Sequence, residues 1–142
     1  MIVTAACFAQ SVQMGTWRLN EAKSKLSRTG PKNTTVILEP MSDRVRVTID
    51  GVGSDGKPKH SEWTGKFDGK DYPVIGDPTS DMRSYTPIDE RTLGLNVRKG
   101  GEGVISGRIQ ISADGKTRTV TVRGINAAGR KFHTVAVYDK QP

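Results

Sequence analysis

The tripeptide Asp-Gly-Lys occurs three times and constrains the fold more than any other feature of the sequence. Its copies are Asp55-Gly56-Lys57, Asp68-Gly69-Lys70 and Asp114-Gly115-Lys116, and Ala128-Gly129-Arg130 is a variant of the same turn. Asp-Gly between two alternating segments is the strongest short-range signal of a β-hairpin, because glycine adopts the positive φ that the tight turn requires. Repeated turns of this kind predict a meander of antiparallel strands.

The segments between these turns alternate between apolar and polar residues. In residues 44–49, valine and isoleucine alternate with arginine and threonine, and the pattern recurs in 105–111 and 119–123. A period of two with charged residues on one side is typical of strands that cover a core with one face. This pattern predicts about eight to ten strands, with the ranges 14–19, 33–40, 43–52, 57–67, 70–75, 81–87, 91–98, 103–112, 116–124 and 130–139.

The composition agrees with a single β-rich domain. Of the 142 residues, 16 are glycine and 34% are hydrophobic, which suits a sheet protein with many turns better than a helical bundle. Only residues 20–26 predict one short helical turn, which Asn20 would cap. Because closure removes both exposed edges of a long meander, we predict an all-β, up-and-down antiparallel barrel.

Residues 1–9 have the features of the end of a secretory signal. The run is apolar and ends in Cys7-Phe8-Ala9, with small residues at the positions that a signal peptidase reads. We therefore expect a signal remnant at 1–9 and an exported, periplasmic or extracellular domain at 10–142. A lipoprotein anchor on Cys7 is the alternative, although Thr4 stands where a large aliphatic residue is expected. No other apolar run approaches the ~20 residues of a membrane span.

The net charge of +7 arises from 22 lysine and arginine residues against 15 acidic ones. Such a surplus attracts anions and raises the question of nucleic acid. The basic residues are spread over nearly every predicted strand and turn, whereas a nucleic-acid footprint should cluster on one face. We predict no nucleic-acid partner, and the sequence leaves a monomer and a small homo-oligomer open.

The segment Gly15-Thr16-Trp17 resembles the Gly-x-Trp motif of the calycin group, which comprises lipocalins, fatty-acid-binding proteins and avidins. In those barrels the tryptophan closes one end, and a basic side chain from near the last strand lies across it. An even number of strands would bring the last strand beside the first, which offers Lys140 as that cation. The resemblance thus implies a lipocalin-like barrel with a structural closure made by Gly15, Trp17 and Lys140.

The chain from about residue 13 to 141 also resembles a group of small exported bacterial proteins without a settled activity. These open with Gly-Thr-Trp-x-Leu-Asn, carry Asp-Gly-Lys-Asp-Tyr-Pro in the middle and end in Val-Ala-Val-Tyr-x-Lys. The corresponding segments here are 15–20, 68–73 and 135–140.

The interior of such a barrel is filled by side chains or holds one small ligand. Small residues beside aromatic ones leave space next to the rings, and this favours a pocket for a small apolar or amphipathic molecule. The alternative is that the aromatic residues simply fill the core. The predicted ligand-binding residues, from strand 57–67 and its neighbours, are Ser61, Trp63, Phe67, Tyr72 and Tyr85.

No metal site or cofactor is predicted. A zinc site needs three or four ligands, and His60 finds only Glu62 nearby on its strand face, so His60 is interpreted as a surface residue. The single cysteine excludes a disulfide within the chain and a cysteine-based metal site. His133 lies in an apolar stretch of the last strand and is expected to be partly buried.

Two further functions stay open at this stage. The first is a small esterase-like hydrolase that uses the same cavity, with His133 as base and Ser61 as nucleophile. Its signature Gly-x-Ser-x-Gly is absent, since residues 52–56 miss it by one position. Ser106, Asp81 and Asp139 are the other residues that such a site could use. The second is an envelope interaction protein without an internal site.

Overall fold

The computed structural model describes residues 10–142, so the signal remnant predicted at residues 1–9 and its alternative, a lipoprotein anchor on Cys7, lie outside the described residues. Ten strands form one closed antiparallel barrel. They are β1 (Gly15–Leu19), β2 (Lys32–Met41), β3 (Arg44–Val52), β4 (Pro58–Gly65), β5 (Tyr72–Ile75), β6 (Met82–Asp89), β7 (Thr92–Lys99), β8 (Glu102–Ile111), β9 (Thr117–Ile125) and β10 (Lys131–Lys140).

Each strand pairs with its neighbours in sequence, and β10 returns to pair with β1. The pairing of β1 with β10 is antiparallel, and Trp17 lies opposite Lys140. This confirms the predicted up-and-down barrel, with a strand number at the upper end of the expected range. The closing pair follows from the even strand count, because strands of a meander alternate in direction.

Two single-turn 3₁₀ helices flank β1. Glu21–Lys23 follows the strand, and the Asn20 side chain caps this turn by accepting a hydrogen bond of 3.2 Å from the Lys23 amide. This confirms the helical turn expected after the first strand. The other turn, Ser11–Gln13, precedes β1 and was not predicted. No helix in residues 10–142 is long and apolar enough to cross a membrane.

The Asp-Gly-Lys turns share one hydrogen-bonding device. The carboxylates of Asp55, Asp68 and Asp114 each accept a hydrogen bond of 3.0 Å from the amide two residues later. Two of the turns close hairpins directly. The third lies in the longer connection between β4 and β5, because β4 ends at Gly65 and not at Phe67 as predicted. Phe67 is therefore a loop residue.

A close approach between β8 and β9 requires glycine at position 107. A Cβ placed there would lie 2.0 Å from the Thr121 carbonyl oxygen, a backbone atom that cannot move aside alone. We expect Gly107→Ala to lower the free energy of unfolding by about 1–3 kcal/mol, the usual cost of overpacking. Gly103→Ala on the same strand is the control, since a Cβ there meets nothing within 4 Å. Urea denaturation of both variants tests this, and equal stabilities would contradict it.

Candidate ligand cavity

One end of the barrel is closed around Trp17, which is fully buried. Its indole Nε1 donates a hydrogen bond of 3.0 Å to the Gln13 carbonyl oxygen. The Nζ atom of Lys140 lies 5.7 Å from the centre of the indole ring, within the range of a cation–π interaction. Gly15 has φ of 125°, and a Cβ on it would lie 3.1 Å from Lys140 Cε. The structure thus places Gly15, Trp17 and Lys140 together.

Four of the predicted ligand-binding residues are aromatic, and their rings pack on one another. We call these four residues the aromatic cluster: Trp63, Phe67, Tyr72 and Tyr85. The ring centre of Trp63 lies 4.7 Å from that of Tyr85, 5.7 Å from Tyr72 and 6.2 Å from Phe67. Trp63 is buried, and its Nε1 donates a hydrogen bond of 2.9 Å to the Arg83 carbonyl oxygen. This arrangement fills space beside the cavity.

The cavity inside the barrel has a volume of about 100 Å³. Ser61 and Tyr85 line it, whereas Trp63, Phe67 and Tyr72 do not. Trp63 contacts the wall residues Tyr85, through its ring, and Arg83, through the hydrogen bond to the carbonyl oxygen. An apolar cavity of about 150 Å³ can bind benzene, so the smaller volume here corresponds to a short chain. Apolar wall residues include Val36, Ile49, Leu95, Ile109, Val120 and Ala136.

Arg118 is the most unusual residue of the cavity wall. It is buried, and its Nη1 donates a hydrogen bond of 2.9 Å to Gln13 Oε1. Its Nε atom is also buried and has no hydrogen-bond partner. Burial lowers the pKa of Arg118, but a guanidinium keeps its proton in proteins. The cavity wall therefore contains a charged donor without an acceptor.

Arg83 supplies a second buried guanidinium to the wall. Its Nη1 donates a hydrogen bond of 3.1 Å to the hydroxyl of Tyr85. Within residues 10–142, no carboxylate forms an ion pair with Arg83 or Arg118. The nearby phenol of Tyr138 does not neutralise them, because burial raises its pKa to about 12.

One carboxylate does line the cavity, and it is already paired. Asp77 Oδ2 lies 3.2 Å from Lys59 Nζ, where the cavity meets a larger depression at the open end of the barrel. Burial alone would raise the pKa of Asp77, but hydrogen bonds from Ser80 and Thr79 and the charge of Lys59 hold it below its ordinary value. Counting this pair as neutral, the wall keeps two uncompensated positive charges, those of Arg83 and Arg118.

His133 is not part of this site. It is exposed on the outer wall, because its neighbours Phe132 and Thr134 point inward and side chains alternate along a strand. The expectation that His133 is partly buried was wrong. Ser61 is buried on the inner wall, so the sheet separates these two residues. The structure therefore does not assemble Ser61 and His133 as nucleophile and base.

The other residues considered for hydrolysis are also apart from the cavity. Ser106 is exposed on the outer wall, where it and His133 lie on opposite sides of Arg123. Asp81 accepts a hydrogen bond of 2.9 Å from the Gly100 amide, and Asp139 accepts one of 2.9 Å from the Asn20 side chain. Neither carboxylate orients a histidine.

His60 is exposed, with its Nδ1 2.6 Å from Asp50 Oδ1. In residues 10–142, no group of three or more possible metal-ligating side chains is present. The hydrogen bond with Asp50 raises the pKa of His60 above its ordinary 6.5.

We expect the NMR titration midpoint of His60 to lie above 6.5 and to fall towards that value in Asp50→Asn. The stabilisation from this pair is complete below pH 6.5 and disappears as the pH rises through the raised pKa. A midpoint that is unchanged in Asp50→Asn would contradict the assignment, and Asp55→Asn serves as the control because Asp55 binds only the Lys57 amide of its own turn.

The alternation along β9 and β6 is a sequence signal for the burial of Arg118 and Arg83. Arg118 has the same strand parity as Val120 and Val122, and Arg83 has that of Tyr85. Parity therefore places both arginines inside. Local sequence patterns do not show that the two arginines lack a carboxylate partner, because this depends on residues far away in the sequence.

No protein-family model matches the chain, and no curated protein matches it. Among solved structures, it is similar to EF1p2_mFAP2b bound to DFHBI, with 13% identity and a TM-score of 0.56 over 94% of this chain and 99% of that chain. It is also similar to a redesigned β-barrel, b11L5F_LGL, with 14% identity and a TM-score of 0.50 over 96% of this chain and 97% of that chain. At these identities the likeness shows the fold alone, which is a closed antiparallel β-barrel.

Proposed function

We propose that this protein binds a small amphipathic molecule with an anionic group inside the barrel. The observation that carries the proposal is the pair of buried guanidiniums, Arg83 and Arg118, in a mostly apolar wall with no carboxylate paired to them. An unpaired buried charge is strongly unfavourable, and a carboxylate on a ligand would compensate it with charge-assisted hydrogen bonds. The apolar wall residues would surround the rest of the ligand.

The size of the cavity limits the ligand. At about 100 Å³, it suits a short aliphatic acid, and an aromatic acid with one ring requires the cavity to widen. The neighbour EF1p2_mFAP2b holds DFHBI, so a protein of this fold is able to bind a small molecule. The export predicted from residues 1–9 would place this binding in the periplasm or outside the cell.

Calorimetry with pairs of matched ligands tests the proposal. Benzoate is compared with benzyl alcohol, and straight-chain carboxylates from butanoate to hexanoate with the corresponding alcohols. We expect each acid to bind at least about tenfold more tightly than its alcohol, because hydrogen bonds to a charged group are worth about 1.5–3 kcal/mol. Equal affinities within the pairs would contradict the role of the arginines.

Binding should also change the fluorescence of Trp63, whose ring contacts Tyr85 of the cavity wall. Trp17 lies at the closed end and serves as the internal reference once Trp63→Phe removes the reporter. If neither acids nor alcohols bind, the proposal of an internal ligand is wrong. An interaction protein that works through its outer wall would then be the better interpretation.

A further inference from the structure

The outer wall of strands β8 to β10 is basic. Arg108, Arg123, Lys131 and His133 are exposed there, and we call these four residues the basic face. Arg123 lies opposite His133 in the pairing of β9 with β10, so the two side chains are direct neighbours. The structure describes all residues of these three strands. Their carboxylates are Glu102 and Asp139, and both lie at strand ends.

The basic face brings several basic side chains together with no carboxylate among them. Elsewhere on the surface, some cations have carboxylate partners, as in the pairs Lys32–Glu21, Arg46–Glu39 and Lys66–Asp43. No ion pair among residues 10–142 includes a residue of the basic face. Basic residues are thus spread along the sequence, but a group of uncompensated ones gathers on one side of the fold.

An exposed apolar residue stands at the edge of this face. Ile125, the last residue of β9, is 44% exposed and lies opposite Lys131 in the pairing of β9 with β10. Ile125 lines a shallow depression of about 970 Å³ on the outer wall, which is also lined by Arg123, Lys131 and His133. This surface therefore presents an exposed apolar side chain next to cations that have no carboxylate partner.

We infer that this surface docks on an anionic phospholipid membrane, with Ile125 against the lipid interface and the basic face against the head groups. Anionic lipids attract lysine and arginine that lie within a Debye length of the membrane, and burial of an apolar side chain adds to this attraction. Charge complementarity alone would also fit nucleic acid. Strands β8 to β10 present no exposed phenylalanine, tyrosine or tryptophan for base stacking, however, since Phe132 and Tyr138 are both buried.

The location of the surface relates it to the open end of the barrel. Phe132 lines the shallow depression, the depression at the open end and the internal cavity. Docking through Ile125 would therefore bring the open end of the barrel close to the membrane. The inference itself does not depend on an internal ligand, because it rests on surface residues only.

Cosedimentation with vesicles tests the inference. The full chain is mixed with vesicles of phosphatidylcholine alone, or with vesicles of phosphatidylcholine and phosphatidylglycerol in equal amounts, at low and at physiological salt. We expect binding to the mixed vesicles, no binding to phosphatidylcholine alone, and a loss at high salt. The double variant Arg123→Glu/Lys131→Glu should bind the mixed vesicles at least about tenfold more weakly.

The matched control is Lys70→Glu/Lys116→Glu, which changes the net charge by the same amount at exposed turn positions on the opposite end of the barrel. It should retain binding, and an equal loss would mean that net charge alone is responsible and would overturn the inference. In Ile125→Trp, the tryptophan emission should shift to shorter wavelength with mixed vesicles, and an unchanged spectrum would overturn the contact of residue 125 with lipid.

Two further outcomes would overturn the inference. One is the absence of binding to the mixed vesicles. The other is tighter binding of a single-stranded oligonucleotide that the Arg123→Glu/Lys131→Glu variant loses, which would assign the basic face to nucleic acid. Calorimetry with benzoate on the same double variant separates the two proposals, because the internal cavity should keep its affinity whatever happens at the surface.

Discussion

Replacing Trp17 by alanine should lower the free energy of unfolding by roughly 3–5 kcal/mol, the usual cost of removing a fully buried large ring. The indole fills the closed end of the barrel, is bonded to the Gln13 carbonyl and lies under Lys140. Its loss removes apolar burial, one buried hydrogen bond and the cation–π contact together. Chemical denaturation monitored by circular dichroism measures the change.

Two milder variants separate these contributions. Trp17→Phe keeps an aromatic ring but leaves the Gln13 carbonyl without its donor, so its stability should lie between those of the wild type and Trp17→Ala. Lys140→Met removes only the cation and should cost about 0.5–1 kcal/mol, since Lys140 is exposed. A stability of Trp17→Ala within about 1 kcal/mol of the wild type would contradict the role of the indole in closing the barrel, because surface changes have effects of that size.

Arg118→Met should weaken the binding of an aromatic or short-chain carboxylate by about 2–5 kcal/mol, the cost of removing one member of a buried charge pair. This corresponds to a rise of at least about thirtyfold in the dissociation constant. The affinity for the matching alcohol should change little, because the alcohol carries no charge for the guanidinium to neutralise. Calorimetry with benzoate and benzyl alcohol measures both.

The same substitution should not destabilise the ligand-free protein. Methionine removes one hydrogen bond to Gln13, worth about 1.5–3 kcal/mol, but it also removes a buried charge whose desolvation costs several kcal/mol. Desolvation is the larger effect, so the free energy of unfolding should rise. Lys116→Met, at an exposed turn, is the control for the loss of one positive charge. Benzoate binding that survives in Arg118→Met would remove this residue from the proposed site.

The fold was predictable from the sequence because its determinants are local. Asp-Gly-Lys turns and strict alternation mark each hairpin, and neither depends on distant residues. The closing contact between Trp17 and Lys140 required one further step, the even number of strands. The end of β4 was missed because strand pairing ends at Gly65 whereas the alternation in the sequence continues to Phe67. A pattern of period two does not show where pairing ends.

The cavity was predictable only in part. Ser61, which strand alternation places inside, and Tyr85 line the cavity, whereas Trp63, Phe67 and Tyr72 pack beside it without lining it. Arg118 was missed because arginine in a strand is normally interpreted as facing water. Its hydrogen-bond partner Gln13 is more than a hundred positions away and belongs to a helical turn that no signal in the sequence predicted.

The short strand β5 determines where the strands of the barrel separate most easily during thermal fluctuations. It pairs with β4 only through residues 62–63 and with β6 only through residues 82–83, whereas the other junctions are held over longer stretches. The free energy needed to separate neighbouring strands is therefore lowest at this weak link. We expect fluctuations that widen the lumen to concentrate there, next to Trp63 and Tyr85, so a ligand larger than the resting volume of about 100 Å³ would enter beside β5.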